Sequence, residues 1–223
     1  MGSFAAVLLD WRGTLVLPLT APRWIELALQ RCGREASAQE VDDLLGRFRL
    51  VGDGADPFDG PDVDSSRTRH REVYMDVFDA AGLDGELAEA LYAVESDLSH
   101  DRFALDVAPT LRALHEAGIR VAVLSDIHVD VRPAFAAEGL DGLVDAFVLS
   151  FEHGIQKPHP SAFTHALDLL GAAASDTLMV GDRAHPDGGG VPLGITTLLL
   201  PPLRAVTDRR LHHVLTLCGV PQP

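Results

Sequence analysis

Lysine is almost absent from this chain: of 18 basic residues, 17 are arginine and one, Lys157, is lysine. Cysteine is as scarce, with Cys32 and Cys218 the whole complement. Two thiols so far apart form neither a disulfide framework nor a cysteine metal motif, and they suit a reducing compartment, so a cytoplasmic location is expected. Bases are short against 33 acids, for a formal net charge of -15. Such a field repels polyphosphate backbones and sets nucleic acid aside as a partner. A small anionic substrate stays open, because local cations outweigh the global field at short range. Long apolar runs are missing too. The run over residues 4–9 has no basic flank or cleavage pattern and is too short for a signal peptide or a membrane span, so no membrane partner is expected.

What is present points to a globular enzyme-sized chain. Its 223 residues are 47% hydrophobic, enough to bury a full core. The run over residues 4–9 reads as a strand buried on both faces and ends in Asp10, with a sharp turn at Gly13 and Thr14. Residues from about 20 to 100 read as helices. One opens at Thr20 and Pro22 and closes at Gly33. A second follows the Ser37/Glu40 capping pattern. A third covers 65–81, and Leu87, Leu91, Val94 and Leu98 mark a fourth at helical spacing. Residues 52–64 carry five aspartates and two prolines and read as a solvated loop; they lack the Gly and terminal Glu of a calcium loop.

From Asp106 onward helices and strands alternate. Strands are predicted over 119–124, 146–149, 177–180 and 195–200. Helices are predicted over 109–117, 132–138, 160–170 and 205–217. Alternation of this kind predicts an α/β fold with a doubly wound, Rossmann-like parallel sheet. Ligands in such sheets bind beyond the carboxyl ends of the strands, where Asp10, Ser125 and Asp182 fall, with Lys157 on a neighbouring loop.

Phosphoryl transfer to a carboxylate needs parts of these kinds. A carboxylate attacks phosphorus, acidic oxygens hold a divalent cation, and a hydroxyl and a cation bind the remaining phosphoryl oxygens. Glycine is needed where backbone approaches the phosphate. The order here is a strand followed by Asp10-Trp11-Arg12-Gly13-Thr14, a strand ending in Ser125, then Lys157-Pro158, then Gly181-Asp182 with Asp187 five residues on. It resembles the four motifs of the haloacid dehalogenase superfamily.

That resemblance implies a core over residues 1–16 and 103–223, with an α-helical cap over 17–102 inserted between the first two motifs. It implies an Mg²⁺-dependent phosphatase or phosphotransferase acting on a small phosphorylated metabolite. Asp10 would be the nucleophile that carries the phosphoryl group. Gly13, Thr14, Ser125, Asp126 and Lys157 would bind the phosphate, and Lys157 would also neutralise Asp10. Mg²⁺ would be held by Asp10, the carbonyl of Arg12, Asp182 and Asp187, the last directly or through water. Asp187 could instead cap the next helix.

Residue 12 departs from the family pattern. Phosphatases of the superfamily have Asp there as general acid and base, and a guanidinium does neither job. Arg12 could bind a substrate anion, stabilise a phosphorylated Asp10, or swing into the cap. One alternative is a catalytically impaired binding or regulatory protein in which Arg12 holds an anion. Another is carbon–halogen hydrolysis, against which the acidic fourth motif counts. The sequence Asp-Trp-Arg-Gly-Thr is also close to that of phosphonoacetaldehyde hydrolases, but those need a cap lysine, and this cap has none. Of the histidines near the motif loops (His128, His153, His159 and His185), any could replace the missing acid and base; partly exposed loop positions are expected for all four. Trp11 and Trp24 could line the pocket mouth or pack cap on core.

Overall fold

In a computed structural model that describes residues 4–222, the first apolar run becomes strand β1 (Ala6–Leu9), every residue of it buried. The outermost residues of the expected core span, 1–3 and 223, lie outside the described residues. Four more strands join β1 in a parallel sheet: β4 (Arg120–Ser125), β5 (Ala146–Leu149), β6 (Thr177–Gly181) and β7 (Thr196–Leu199), in the order β5-β4-β1-β6-β7. The fold is the expected doubly wound α/β sheet.

Successive side chains of a strand point to opposite faces, and both faces are covered. Val7, Leu9, Val121, Val123, Leu178 and Val180 point to one face, where helices α5 (Val107–Glu116) and α10 (His212–Cys218) pack. Ala6, Leu8, Ala122, Leu124 and Met179 point to the other, against α8 (Pro160–Leu170). This two-sided burial is why the strands read as continuous apolar runs rather than alternating ones.

Register then sets the site. Leu9 pairs with Val123 on one side and Val180 on the other. Asp10, Ser125 and Asp182 therefore emerge within two residues of one level at the carboxyl edge.

Between β1 and β4 the chain builds helices α1 (Ala21–Arg31), α2 (Ala38–Val51), α3 (Arg67–Ala80) and α4 (Gly85–Glu95). Thr20, Ser37, Ser66 and Asp84 cap them, each accepting a first-turn backbone N–H. These helices share an apolar cluster of their own around Trp24, Ile25, Phe48, Phe78 and Leu91. The chain leaves for them through β2 (Val16–Leu17) and returns through β3 (Arg102–Phe103), and these two short strands pair antiparallel. Trp11 packs in the sheet core against Phe103 and Phe135, and Trp24 in the helical cluster. No helix among the described residues is long and apolar enough to cross a membrane.

Two expectations need correction. The last helix does not run over 205–217 but only over His212–Cys218. Asp208 accepts the N–H groups of Arg204 and Ala205 and holds that stretch as a turn, a local competition with helix that aspartate favours. Residues 52–64 are not wholly solvated. Phe58 packs edge-on to Trp24 at 5.5 Å, and Val63 is buried in the helical cluster. Asp64 lies on a 3-10 turn, Val63–Ser65, that the sequence did not signal.

Candidate active site

The loop after β1 is held tightly. The carbonyl of Trp11 accepts N–H groups from Thr14, Leu15 and Val16 at 3.3, 2.8 and 3.2 Å. The N–H of Asp10 donates to the Val180 carbonyl at 2.9 Å. This fixes the Asp10 side chain at the sheet edge, where it is buried. Thr14 Oγ1 donates to Asp10 Oδ2 at 3.2 Å.

Lys157 comes in from the loop after α7 (Ser150–His153). Its ammonium donates to Asp10 Oδ1 and to Asp187 Oδ1, both at 2.6 Å, and its side chain is fully buried. Burial alone would lower its pKa, but Asp10, Asp126 and Asp187 outweigh it and raise the group above its ordinary value. Asp126 also accepts the backbone N–H of Lys157 at 2.8 Å, which positions the lysine from the end of β4. Ser125 ends β4, is buried, and starts no helix.

Asp187 ends a single helical turn, α9 (Ala184–Asp187), and is fully buried. It caps nothing downstream; its second oxygen accepts the Arg183 N–H at 2.9 Å. Two glycines make room for the acids. Gly13 has φ +81°, and a Cβ there would collide with the Asp182 carboxylate. A Cβ at Gly181 would collide with that of Asp187. Neither position tolerates a side chain without displacing a carboxylate.

Oxygens of Asp10, Asp182 and Asp187 all lie within 4.8 Å of one another. Burial, then repulsion from Asp10 and Asp187, push the Asp182 carboxyl up to about 6. One ammonium does not balance these three carboxylates. An all-oxygen donor set with surplus negative charge fits a hard divalent cation such as Mg²⁺. The Arg12 carbonyl accepts no hydrogen bond among the described residues and is free to join that set.

The Arg12 side chain goes elsewhere. Its Nε donates to Asp101 Oδ2 at 3.0 Å, one terminal nitrogen to Glu95 Oε1 at 2.5 Å, and the other to the Glu95 carbonyl at 3.2 Å. Burial disfavours the charge, but Glu95 and Asp101 hold its pKa above the ordinary arginine value. Trp11 Nε1 donates to the same Asp101 oxygen at 3.2 Å. The guanidinium thus ties the loop after β1 to the end of α4 and to the returning linker.

A cleft of about 730 Å³ lies between residues 59–64 and the sheet edge, with Asp64, Asp126, Lys157, Arg183 and His185 among its walls. That is the size of a small-molecule site. His153 and His185 lie on the short helices α7 and α9 rather than on loops, and both are exposed, as is His159; His128 is buried, against expectation, and stacks on His70 with ring centroids 3.4 Å apart. Burial lowers His128 to about 2, with help from His70 and Arg12, and His70 to about 3, with help from Arg12.

Sequence reasoning missed Arg210, a buried arginine that donates to the carbonyls of Gly13, at 3.1 Å, Thr14, at 2.7 Å, and Pro201. Asp106 accepts the Arg210 N–H at 2.6 Å and the Leu211 N–H at 2.8 Å. Together they support the loop after β1 from the starts of α5 and α10. Nothing in the local sequence marks Arg210, since Gly13 and Thr14, whose loop it supports, lie almost 200 residues away.

The model for the haloacid dehalogenase-like hydrolases matches residues 4–190. The pyrophosphatase PpaX of Halalkalibacterium halodurans is 30% identical over 125 residues, 53% of this chain and 58% of that protein. The ribulose-1,5-bisphosphate 5-phosphatase of Halopiger xanaduensis is 31% identical over 126 residues, 51% of this chain and 53% of that protein. The chain spans about half the length of these curated relatives. In fold it is similar to a crystallised hydrolase of the same superfamily from Geobacter sulfurreducens, with a TM-score of 0.68 at 17% identity over 98% of both chains.

Proposed function

The chain belongs to the haloacid dehalogenase-like hydrolases, and on that footing we propose that it is an Mg²⁺-dependent phosphohydrolase or phosphotransferase for a small phosphorylated metabolite, with Asp10 as nucleophile. The observation that carries this reading is the Lys157 ammonium at 2.6 Å from both Asp10 and Asp187, with Asp182 beside them.

The Asp10 carboxylate, steadied by Thr14 and Lys157, attacks phosphorus; the bond from phosphorus to Asp10 forms as the bond to the leaving oxygen breaks. Lys157 and Ser125 take the equatorial phosphoryl oxygens, and Lys157 offsets the repulsion between carboxylate and phosphate. Water then cleaves the phosphorylated Asp10 and releases phosphate. When held by Asp10, Asp182 and the Arg12 carbonyl, with Asp187 behind them, Mg²⁺ supplies the charge neutralisation that lets two anions meet.

Arg12 gives the leaving group no proton, so this site favours esters that depart readily as anions. The helical unit, residues 17–102, acts as the cap that closes over the core and selects the substrate. The two curated relatives are named a pyrophosphatase and a ribulose-1,5-bisphosphate 5-phosphatase, which supports a small phosphate-bearing substrate. A binding-only role with an anion gripped by Arg12 finds no support, because Glu95 and Asp101 occupy that guanidinium.

The test is hydrolysis of p-nitrophenyl phosphate by the full chain, with Mg²⁺ and with EDTA, beside Asp10→Asn. Activity that needs both Mg²⁺ and Asp10 is expected. Activity equal in the variant overturns the assignment.

A further inference from the structure

A second group of ligand-type side chains lies apart from the acidic centre. Asp64 sits on the 3-10 turn before α3, His70 in α3, and His128 in the loop after β4. Two come from the helical unit and one from the sheet unit. The position of Asp64 is fixed by its backbone: its N–H donates to Gln156 Oε1 and its carbonyl accepts from Ser150 Oγ, each at 2.7 Å.

Each imidazole has one nitrogen held by a hydroxyl. Nδ1 of His70 faces the Tyr92 hydroxyl at 3.3 Å, and Nε2 of His128 the Ser96 hydroxyl at 2.9 Å. That leaves Nε2 of His70 and Nδ1 of His128, which stand 3.7 and 3.9 Å from Asp64 Oδ1. Both distances are too long for hydrogen bonds, so the polar atoms face one another without bonding. The three ligand atoms all lie within 4.8 Å of one another. A tetrahedral zinc site, with metal–ligand bonds of about 2.0–2.1 Å, has ligand–ligand edges of about 3.4 Å.

We propose that Asp64 Oδ1, His70 Nε2 and His128 Nδ1 form a three-ligand site for a zinc-class divalent cation that ties the helical unit to the sheet unit. Two imidazoles and a carboxylate suit a borderline-soft ion, whereas the all-oxygen set at Asp10 suits Mg²⁺. The hydroxyls of Tyr92 and Ser96 are the outer partners that orient ligating imidazoles. Three protein ligands leave a fourth position for water. The rings stack nearly parallel, 14° apart, so they must splay for both lone pairs to reach one ion. Arg12 opposes the added charge, and Glu95 and Asp101, which pin it, offset that opposition.

The full chain is stripped with a chelator and titrated with Zn²⁺ by calorimetry, and with Co²⁺ by visible absorption, with Mg²⁺ present in excess. One Zn²⁺ per chain is expected, with the intense visible bands of four-coordinate Co²⁺, and both should persist in Asp182→Asn. His70→Gln and His128→Gln should each weaken binding at least about tenfold. Ser96→Ala keeps all three ligands and should weaken it about tenfold through the lost outer partner; it decides the matter where a histidine variant melts below the assay temperature. No Zn²⁺ bound by the parent overturns the site. So does binding that ignores His70→Gln, His128→Gln and Ser96→Ala, or binding lost only in Asp182→Asn.

Discussion

Arg12→Asp places at position 12 the acid that the resemblance to superfamily phosphatases implies, and should change stability and rate in opposite directions. The parent guanidinium satisfies Asp101, whose side chain is 2% exposed, and Glu95, at 19%. Its removal leaves Asp101 with Trp11 Nε1 as its remaining side-chain donor, and the new carboxylate adds a third negative charge. Breaking a buried pair from one side costs about 3–5 kcal/mol; with Arg12 itself 30% exposed, about 3 kcal/mol is expected. General acid and base assistance is worth about 10²–10⁴ in rate. That gain applies to alkyl phosphates, whose leaving oxygens need a proton, and hardly to p-nitrophenyl phosphate. The assay is therefore the alkyl-to-aryl rate ratio of parent, Arg12→Asp and Arg12→Asn, below the melting point of the least stable. The ratio should rise about 10²-fold in Arg12→Asp and stay at the parent value in Arg12→Asn. Equal ratios in the two variants would show that position 12 does not face the departing oxygen. A parent ratio already near unity would show that another side chain supplies the proton.

Lys157→Met leaves Asp10 and Asp187 without their shared cation and should cost about 3–5 kcal/mol in urea unfolding; Lys157→Arg should not rescue it, because the fully buried space was shaped for an ammonium. A loss under about 1 kcal/mol would mean the pair is solvated. Gly13→Ala meets both the positive φ and the Asp182 carboxylate, so Mg²⁺ dependence should shift to higher concentration, and an unchanged Mg²⁺ titration refutes the crowding argument. Arg210→Met should lower turnover while leaving Asp10 intact, since the carbonyls of Gly13 and Thr14 lose their donor; unchanged turnover would show the loop stands without it. For pH, His70 and His128 are lowered to about 3 and about 2. From pH 6 down to 4 the unfolded chain therefore takes protons there that the folded chain refuses, and stability falls by about 1.4 kcal/mol per unit for each ring. Asp64, at about 7, and Asp182, at about 6, act in the other direction, because the folded chain keeps protons that the unfolded chain releases. In chelator, His128→Gln removes one ring from this balance. Its stability should gain on the parent by about 1.4 kcal/mol per unit as pH falls from 6 to 4, and a pH-independent difference in urea unfolding sinks the argument.

The parts of this molecule legible in the sequence are those written into backbone periodicity. The apolar runs ending in Asp10, Ser125 and Asp182 announce strands, and the parallel register then brings those ends to one edge. Helix caps at Thr20 and Ser37 are similarly local signals. What was illegible depends on which side chains meet after closure. Arg210 reaches the loop after β1 across almost 200 positions, and Asp106, itself 104 positions from Arg210, holds its backbone. Asp64 looks like one more aspartate in a polar stretch until the turn at Val63–Ser65 brings it to the nitrogens of two stacked, buried rings.

Arg12 shows the difference most sharply. Its charge is plain from the sequence, and its direction is not, because that is set by Glu95 and Asp101, more than 80 positions away. With neutral residues at 95 and 101, that guanidinium would lose its partners two positions from Asp10, and an arginine turned toward the acidic centre would compete with the cation those carboxylates suit. The two distant acids draw Arg12 out of the acidic centre and across the linkers that join the two units. Position 12 thus holds a clamp and offers no proton donor. The clamp predicts that Glu95→Gln with Asp101→Asn, in the Arg12 background, should weaken Mg²⁺ activation although neither residue lies in the acidic centre, and that adding Arg12→Asn should restore it. Mg²⁺ titrations of the double and triple variants that coincide would show that Arg12 keeps clear of the centre without those acids.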